Sequence, residues 1–319
     1  ILPFITIHHS SAFVGVDRRP IKNHETNPTH GAPPRGKLQS AMTRRTFSTA
    51  VAAPAVLSAA SQVSRKARKG NLQQSVCRWC YRDIPLEDLA RECARLGLIG
   101  IDLLSPAEWP VVQKYGLTPT MASGVSTIAE GVNRIENHDK IEAQLREMFA
   151  KAKPAGVTNI IIFSGNRKGM SDEQGMDNCV KFFNKVKAEA EDKGLIINME
   201  LLNSKVNHPD YMCDLSKWGV EMCKRVGSPN VKLLYDIYHM QIMEGDVIRT
   251  IKDNIQYFGH FHTGGVPGRN EIDTTQELYY PAIAQAILAT GFKGYFAHEF
   301  IPKRTPLTSL DEATTLCDL

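Results

Sequence analysis

The sequence predicts a single (β/α)8 barrel over residues 73–319, and three observations carry that prediction. Short apolar runs alternate with amphipathic stretches, the pairs number eight, and a span of about 250 residues is what one such barrel needs. The predicted strands are 74–80, 99–103, 117–122, 158–163, 195–201, 231–236, 257–263 and 294–300. After the first, Leu86, Leu89, Ala90, Cys93 and Leu96 recur at helical spacing and stop at Gly97, where a left-handed cap is easiest. Helical segments follow near 106–115, 138–153, 172–193, 210–226, 243–254, 276–290 and 308–317, so each strand is followed by a helix.

Upstream of the barrel the chain changes character. Residues 1–41 carry Pro, Gly, His and Ser without periodicity and do not begin with Met, and are read as disordered or non-native. Residues 42–60, within "MTRRTFSTAVAAPAVLSAAS", read as a signal peptide in which Arg44, Arg45 and Phe47 precede a weakly apolar stretch. The arginine pair resembles a twin-arginine signal, which implies export of a folded protein, to the bacterial periplasm, with a cytoplasmic location if the leader does not function. Residues 61–72 read as a linker.

The formal charge of +4 divides unevenly: residues 1–70 hold eleven Lys/Arg against two acids, which leaves 27 against 32 in the rest. The body is acidic, so the electrostatic case for a nucleic-acid partner is lost. No run of eighteen apolar residues occurs, so no stable membrane span is expected. Seven irregularly spaced cysteines read as mostly buried thiols. Cys77 and Cys80 in "CRWC" have the spacing of a redox pair, but they fall on the first predicted strand, not at a helix start, and the structural reading is preferred. Trp79 can wall a pocket or pack in the core.

In such barrels chemistry sits at the C-terminal ends of the strands. Four predicted strands end in the right residue types: "LIINMELLN" carries Glu200, "VKLLYDIYH" Asp236, "FGHFHTGG" His262 and "GYFAHEF" Glu299. A buried carboxylate costs several kcal/mol unless paired or coordinated, so four such groups at one mouth call for a cation. Each alone has a blander reading, as a helix cap or a partner for lysine. Together they form an oxygen-rich donor set suited to one divalent metal, Mn²⁺ or Mg²⁺, with Co²⁺ or Zn²⁺ compatible. Alternation along the strand puts His262 nearer the mouth and His260 one layer deeper, as a core or supporting histidine.

The strings "MELLNS", "YDIYHMQ", "GHFHTGGVPGRNE" and "AHEFIP", in that order, resemble the hydroxypyruvate isomerase and ketose 3-epimerase branch of the xylose isomerase-like TIM barrels. The resemblance spans roughly 74–319. It implies that Glu200 and Glu299 bind the metal and also act as the acid–base pair, and that Asp236 and His262 complete the metal site. It further implies that His239, Arg269 and Asn203 contact substrate. Hydroxypyruvate isomerases usually have Gln at the position of His262, whereas the epimerases have His. The loop "RNEIDTTQELYY" keeps Glu277 and the paired tyrosines but lacks the usual glycines and His. Conversely "PGRNE" and "FSGNRKG", near Asn166 and Arg167, look closer to the isomerase branch, where a cationic side chain is a candidate partner for a substrate carboxylate. Related barrels are often dimers or tetramers, so a homo-oligomer is compatible.

The implied activity is that of an isomerase, an intramolecular oxidoreductase interconverting aldose and ketose, acting on a small-molecule keto acid or sugar through an enediolate. A ketose 3-epimerase is the runner-up. An endonuclease IV-type phosphodiesterase needs more histidines than the six in the body. A non-catalytic, exported carbohydrate-binding barrel is the reading from another class.

Overall fold

A computed structural model describes residues 64–319. The upstream segment 1–41, the twin-arginine-type signal 42–60 and the first residues of the linker lie outside the described residues. Among the described residues the elements run β1 (Gln73–Cys77), α1 (Leu86–Leu96), β2 (Gly100–Asp102), α2 (Trp109–Gln113), β3 (Thr118–Pro119), α3 (His138–Ala155), β4 (Asn159–Ile162), α4 (Asp172–Lys193) and β5 (Ile196–Glu200). There follow α5 (Ser216–Val226), β6 (Val231–Asp236), α6 (Ile237–Met243), α7 (Val247–Asn254), β7 (Phe258–Thr263), α8 (Tyr280–Ala289), β8 (Tyr295–His298) and α9 (Pro306–Leu316).

All strand pairs are parallel, in the order β3-β2-β1-β8-β7-β6-β5-β4. Just past β3, Ala122 closes the ring onto β4: its N–H donates to the Asn159 carbonyl at 2.8 Å and its carbonyl accepts from Ile161 at 3.0 Å. The helices bury their apolar stripes against the outside of the sheet, as Leu89, Ala90, Cys93 and Leu96 do on α1. Gly97 ends that helix at φ +84°, a conformation an L side chain rarely adopts. Gly100 is required for another reason, since a Cβ there would meet the Thr118 carbonyl oxygen at 2.2 Å.

Strand register decides which side chains share the barrel interior. Glu200 pairs with Leu234 and Leu234 with His260; Asp236 pairs with His262 and His262 with Ala297; Cys77 pairs with Asp102. Parallel partners point to one face, so the ends of β1, β2, β5, β6 and β7 converge inside the mouth.

Several boundaries differ from expectation. β1 stops at Cys77, and Arg78–Tyr81 forms a 3₁₀ turn that takes Trp79 and Cys80 off the strand. Both cysteines are free thiols, and burial pushes each well above the usual thiol range. The helix expected from 210 begins only at Ser216, because 204–215 is a loop. The described part of the stretch read as a linker is fastened to the barrel: Lys66 N–H donates to the Arg95 carbonyl at 2.7 Å, Arg68 binds Asp311 at 2.5 Å, and Lys69 N–H donates to Asp318 at 2.9 Å.

Candidate metal centre and active site

Each side chain of the mouth is delivered by a local device. β5 carries Glu200 as its last residue and β7 carries His262 one residue from its end, both on the inner face. Asp236 ends β6 and caps α6 at once: Oδ1 accepts from the His239 backbone N–H at 3.0 Å, which leaves Oδ2 for the mouth. Capping and site membership, alternatives in sequence, are combined here because a carboxylate has two oxygens. Glu299 lies just beyond β8, its backbone N–H donating to the Thr263 carbonyl at 3.2 Å.

The structure brings Glu200, Asp236, His262 and Glu299 together, with one donor atom of each within 4.8 Å of the others, all four buried. His262 Nδ1 is 3.3 Å from Glu200 Oε1, 3.9 Å from Asp236 Oδ2 and 2.7 Å from Glu299 Oε2. Nδ1 is nevertheless buried without a hydrogen-bond partner of acceptable geometry. A buried ring nitrogen left over among three carboxylates fits a hard divalent cation. These four residues could hold it, and the cluster is a candidate divalent-metal site.

The opposite ring nitrogen is anchored. His262 Nε2 lies 2.8 Å from Asp102 Oδ2, and the other Asp102 oxygen accepts from Thr120 Oγ1 at 2.5 Å. His260 Nε2 reaches the same Oδ2 at 3.2 Å from the layer below, and the Cys77 thiol donates to it at 3.7 Å. Burial works to raise the Asp102 carboxyl, but the two imidazoles outweigh it and hold the group ionised, well below the usual carboxylate range. A carboxylate on Nε2 fixes the ring with Nδ1 turned to the cluster. Asp102 was not singled out in sequence, although it too ends an apolar strand.

Arg269 crosses the cluster. One of its terminal nitrogens bridges Asp236 Oδ2, at 2.5 Å, and Glu299 Oε2, and its Nε donates to the Glu299 carbonyl at 3.1 Å. Its loop is pinned hard: Arg269 N–H donates to the Gly265 carbonyl at 2.7 Å, Ile301 N–H donates to the Arg269 carbonyl at 2.7 Å, and the buried Glu271 carboxylate accepts from the backbones of Lys303 and Arg304. Arg269 itself is held at φ +57°, a strained backbone for a side chain of that size. Trp79, freed from β1, donates its indole N–H to Glu299 Oε1. Burial acts to raise Glu299, but Arg269, His262 and Trp79 together carry its carboxyl below the ordinary range. Glu200 moves the other way, raised by burial and by the charges of Glu299 and Asp236 against the pull of His262.

His239 is buried beside this pair. The Asn203 backbone N–H donates to its Nδ1 at 3.1 Å, and Arg269 Nη1 lies 2.7 Å from its Nε2, so both ring nitrogens face donors. Burial, helped by Arg269, keeps the ring well below the usual imidazole range and so neutral. Asn203 is placed differently from the substrate contact expected of it. Its side chain is fully buried, its Oδ1 accepts from the backbones of Val206 and Asn207, and it does not line the cavity. Arg167 also stays away: its guanidinium binds Asp172 at 2.7 Å, Asp214 at 3.0 Å and the Tyr211 and Met212 carbonyls, tying down the 204–215 loop. His208, which sequence reasoning missed, lines the cavity with its ring 5.3 Å from that of His239. A loop histidine carries no periodic signal by which to find it.

Above the cluster opens a cavity of about 750 Å³, which Trp79, Glu200, His239, Arg269 and Glu299 line. The arrangement offers two carboxylates of opposite acidity, a neutral imidazole and a cation site at one mouth, which is the equipment for moving a proton beside a carbonyl.

The family model described as "Xylose isomerase-like TIM barrel" matches residues 73–316. A human protein named "Putative hydroxypyruvate isomerase" is 32% identical over 105 residues, 33% of this chain and 38% of its own length. A "2-oxo-tetronate isomerase" of Cupriavidus necator is 35% identical over 111 residues, 35% of this chain and 42% of its own. The chain thus spans about two fifths of the length of these curated relatives. Among solved structures, an AP endonuclease, family 2, from Brucella melitensis superposes with a TM-score of 0.68 at 21% identity, covering 75% of this chain and 97% of that one. A D-psicose 3-epimerase from Clostridium cellulolyticum H10 gives 0.63 at 18%, covering 78% and 100%. At these identities the structural likenesses speak for the fold alone.

Proposed function

Because the chain belongs to the xylose isomerase-like TIM barrel family, we propose that it is a divalent-metal-dependent isomerase that acts through an enediolate on a small hydroxy-keto acid or sugar. Relatives named as isomerases support an isomerase. The observation that carries the reading is the convergence of Glu200, Asp236, His262 and Glu299 around an unpartnered, buried Nδ1. Mn²⁺ or Mg²⁺ suits this donor set best, with Co²⁺ or Zn²⁺ compatible. When bound, the ion supplies Lewis-acid polarisation of a carbonyl oxygen and stabilises negative charge that develops there.

The side chains account for the rest. Glu299, held ionised by Arg269 and the Trp79 N–H, takes the proton from the carbon beside the carbonyl. Glu200, whose carboxyl burial pushes up, returns a proton from a different strand. His239, buried at the floor of the cavity, contacts a substrate oxygen. Return of the proton to the neighbouring carbon, with the hydroxyl proton passing to the former carbonyl oxygen, gives the aldose–ketose isomer; return to the same carbon from the other face gives the epimer. The names of the relatives support a hydroxypyruvate isomerase-like reaction, and a ketose 3-epimerase reaction is the alternative favoured by His262 at a position where the isomerases carry Gln.

The test is solvent-deuterium exchange by the metal-loaded protein on hydroxypyruvate and a set of ketoses, read by NMR. Deuterium incorporation that disappears in a folded Glu299→Gln variant is the expected result. Exchange that persists in that variant removes Glu299 from the role of base, and metal binding without exchange on any compound turns the reading to a non-catalytic carbohydrate-binding barrel. Export by the twin-arginine route belongs to the same proposal: residues 42–60 fused to a folded reporter should carry it to the periplasm, and an Arg44→Lys, Arg45→Lys pair should retain it inside.

A further inference from the structure

The cavity over the cluster is divided by chemistry. The groups that make the metal centre come from the ends of β5, β6, β7 and β8. Across the mouth, the ends of β2 and β4 and the loop after β3 supply Leu103, Ile161, Phe163 and Ile128. Of the serines on that side, Ser123 donates to the Leu103 carbonyl at 3.3 Å, and Ser126 Oγ accepts from the Phe163 backbone N–H at 3.0 Å. At the rim stand Val206 and Ile301, two of five large apolar residues exposed among the described ones, at 63% and 43%. Exposed apolar side chains at the lip of a cavity extend the apolar surface that a ligand can cover.

Charge points the same way. Among the described residues Arg269 is the only arginine or lysine that lines the cavity, and its guanidinium is bridged between Asp236 and Glu299. Arg167 is bound elsewhere. Among the described lining residues no arginine or lysine is therefore left unpaired to receive a substrate carboxylate. Size adds a third argument, since about 750 Å³ lies in the upper part of the roughly 300–1,000 Å³ range that encloses drug-sized ligands, and a three-carbon acid fills a small part of it.

We propose that the substrate is an uncharged α-hydroxy ketone whose end remote from the metal centre is apolar, seated on the wall formed by Leu103, Ile128 and Phe163, and not a short keto acid. This rests on the enediolate reading above and names the substrate class for the same site.

Three probes share the hydroxymethyl-ketone head and differ only in the tail: hydroxyacetone carries methyl, 2-hydroxyacetophenone phenyl, and hydroxypyruvate carboxylate. Their affinities for the Mn²⁺-loaded protein are measured by calorimetry, and exchange of the carbon-bound protons in D₂O by NMR. The phenyl compound should bind at least about tenfold more tightly than the methyl compound, the effect of burying roughly two methylene groups, and the carboxylate should bind most weakly. Ile128→Ser and Val206→Ser should each lower the phenyl-to-methyl ratio several-fold. Tightest binding of hydroxypyruvate overturns the proposal, and so does equal binding of phenyl and methyl. Because affinity is read separately from exchange, absence of exchange on all three counts against the enediolate reading while the order of affinities still decides the substrate class.

Discussion

Replacing Asp102 by Asn tests whether the barrel's second strand supports the metal centre from behind. In the protein, Asp102 Oδ2 sits 2.8 Å from His262 Nε2 and is fully buried, with Thr120 holding the other oxygen. Asparagine preserves the volume but removes the charge, and its amide must present oxygen to the ring while turning its NH₂ toward the threonine. The ring is then held less firmly, and Nδ1 loses the electron density that an ionised partner supplies. Loss of such a supporting carboxylate typically weakens metal affinity by about 10–100-fold, which is roughly 1.4–2.7 kcal/mol. The assay is a Mn²⁺ titration of chelator-treated protein, followed by electron paramagnetic resonance or calorimetry, with thermal melting to establish that the variant is folded. At saturating Mn²⁺ most of the turnover should return, because the four donor residues are untouched. A folded Asp102→Asn protein that binds Mn²⁺ within about twofold of the parent would refute the argument, since the hydrogen bond would then have no bearing on the ligand.

Other outcomes follow from the same geometry. Glu299→Gln should lower exchange by at least about 10²-fold, the usual contribution of a positioned general base, measured as deuterium incorporation under saturating substrate. Arg269→Ala leaves Asp236 and Glu299 buried without their counter-charge, so the metal-free variant should lose about 3–5 kcal/mol in urea unfolding, and Mn²⁺ should stabilise it more than it stabilises the parent; equal stabilisation of both would remove the guanidinium from that role. His298 is buried and bonded to Gln74 at 2.9 Å, and burial pushes its imidazole down to about 3. Its folded value lies below its unfolded one, so its contribution is present above about pH 6.5 and is lost as pH falls toward about 3, at up to roughly 1.4 kcal/mol per pH unit. His298→Gln should flatten that acid limb in pH-dependent unfolding, and an unchanged slope would count against it.

The amino-acid sequence by itself determined the architecture and most of the mouth. Repetition of apolar and amphipathic segments leaves few ways to bury both kinds of surface, and alternation along a strand fixes which residues face inward. Glu200, Asp236, His262 and Glu299 were therefore legible as one group, each at the end of a strand that pattern alone can find. What tertiary structure decided was where side chains go once the strands stop. Trp79 reaches Glu299 because β1 breaks into a 3₁₀ turn after Cys77. Arg269 reaches the same carboxylate from a loop held by Glu271, while Arg167 ties down the backbone of the 204–215 loop and Asn203 holds the backbone of the residues that follow it. Asp102, at the end of a three-residue strand, belongs to the site only because the barrel closes and sets β2 within hydrogen-bond reach of β7. Strand periodicity is a local property that residues carry with them; contact between loops, and between strands far apart in the chain, exists only after the ring has closed.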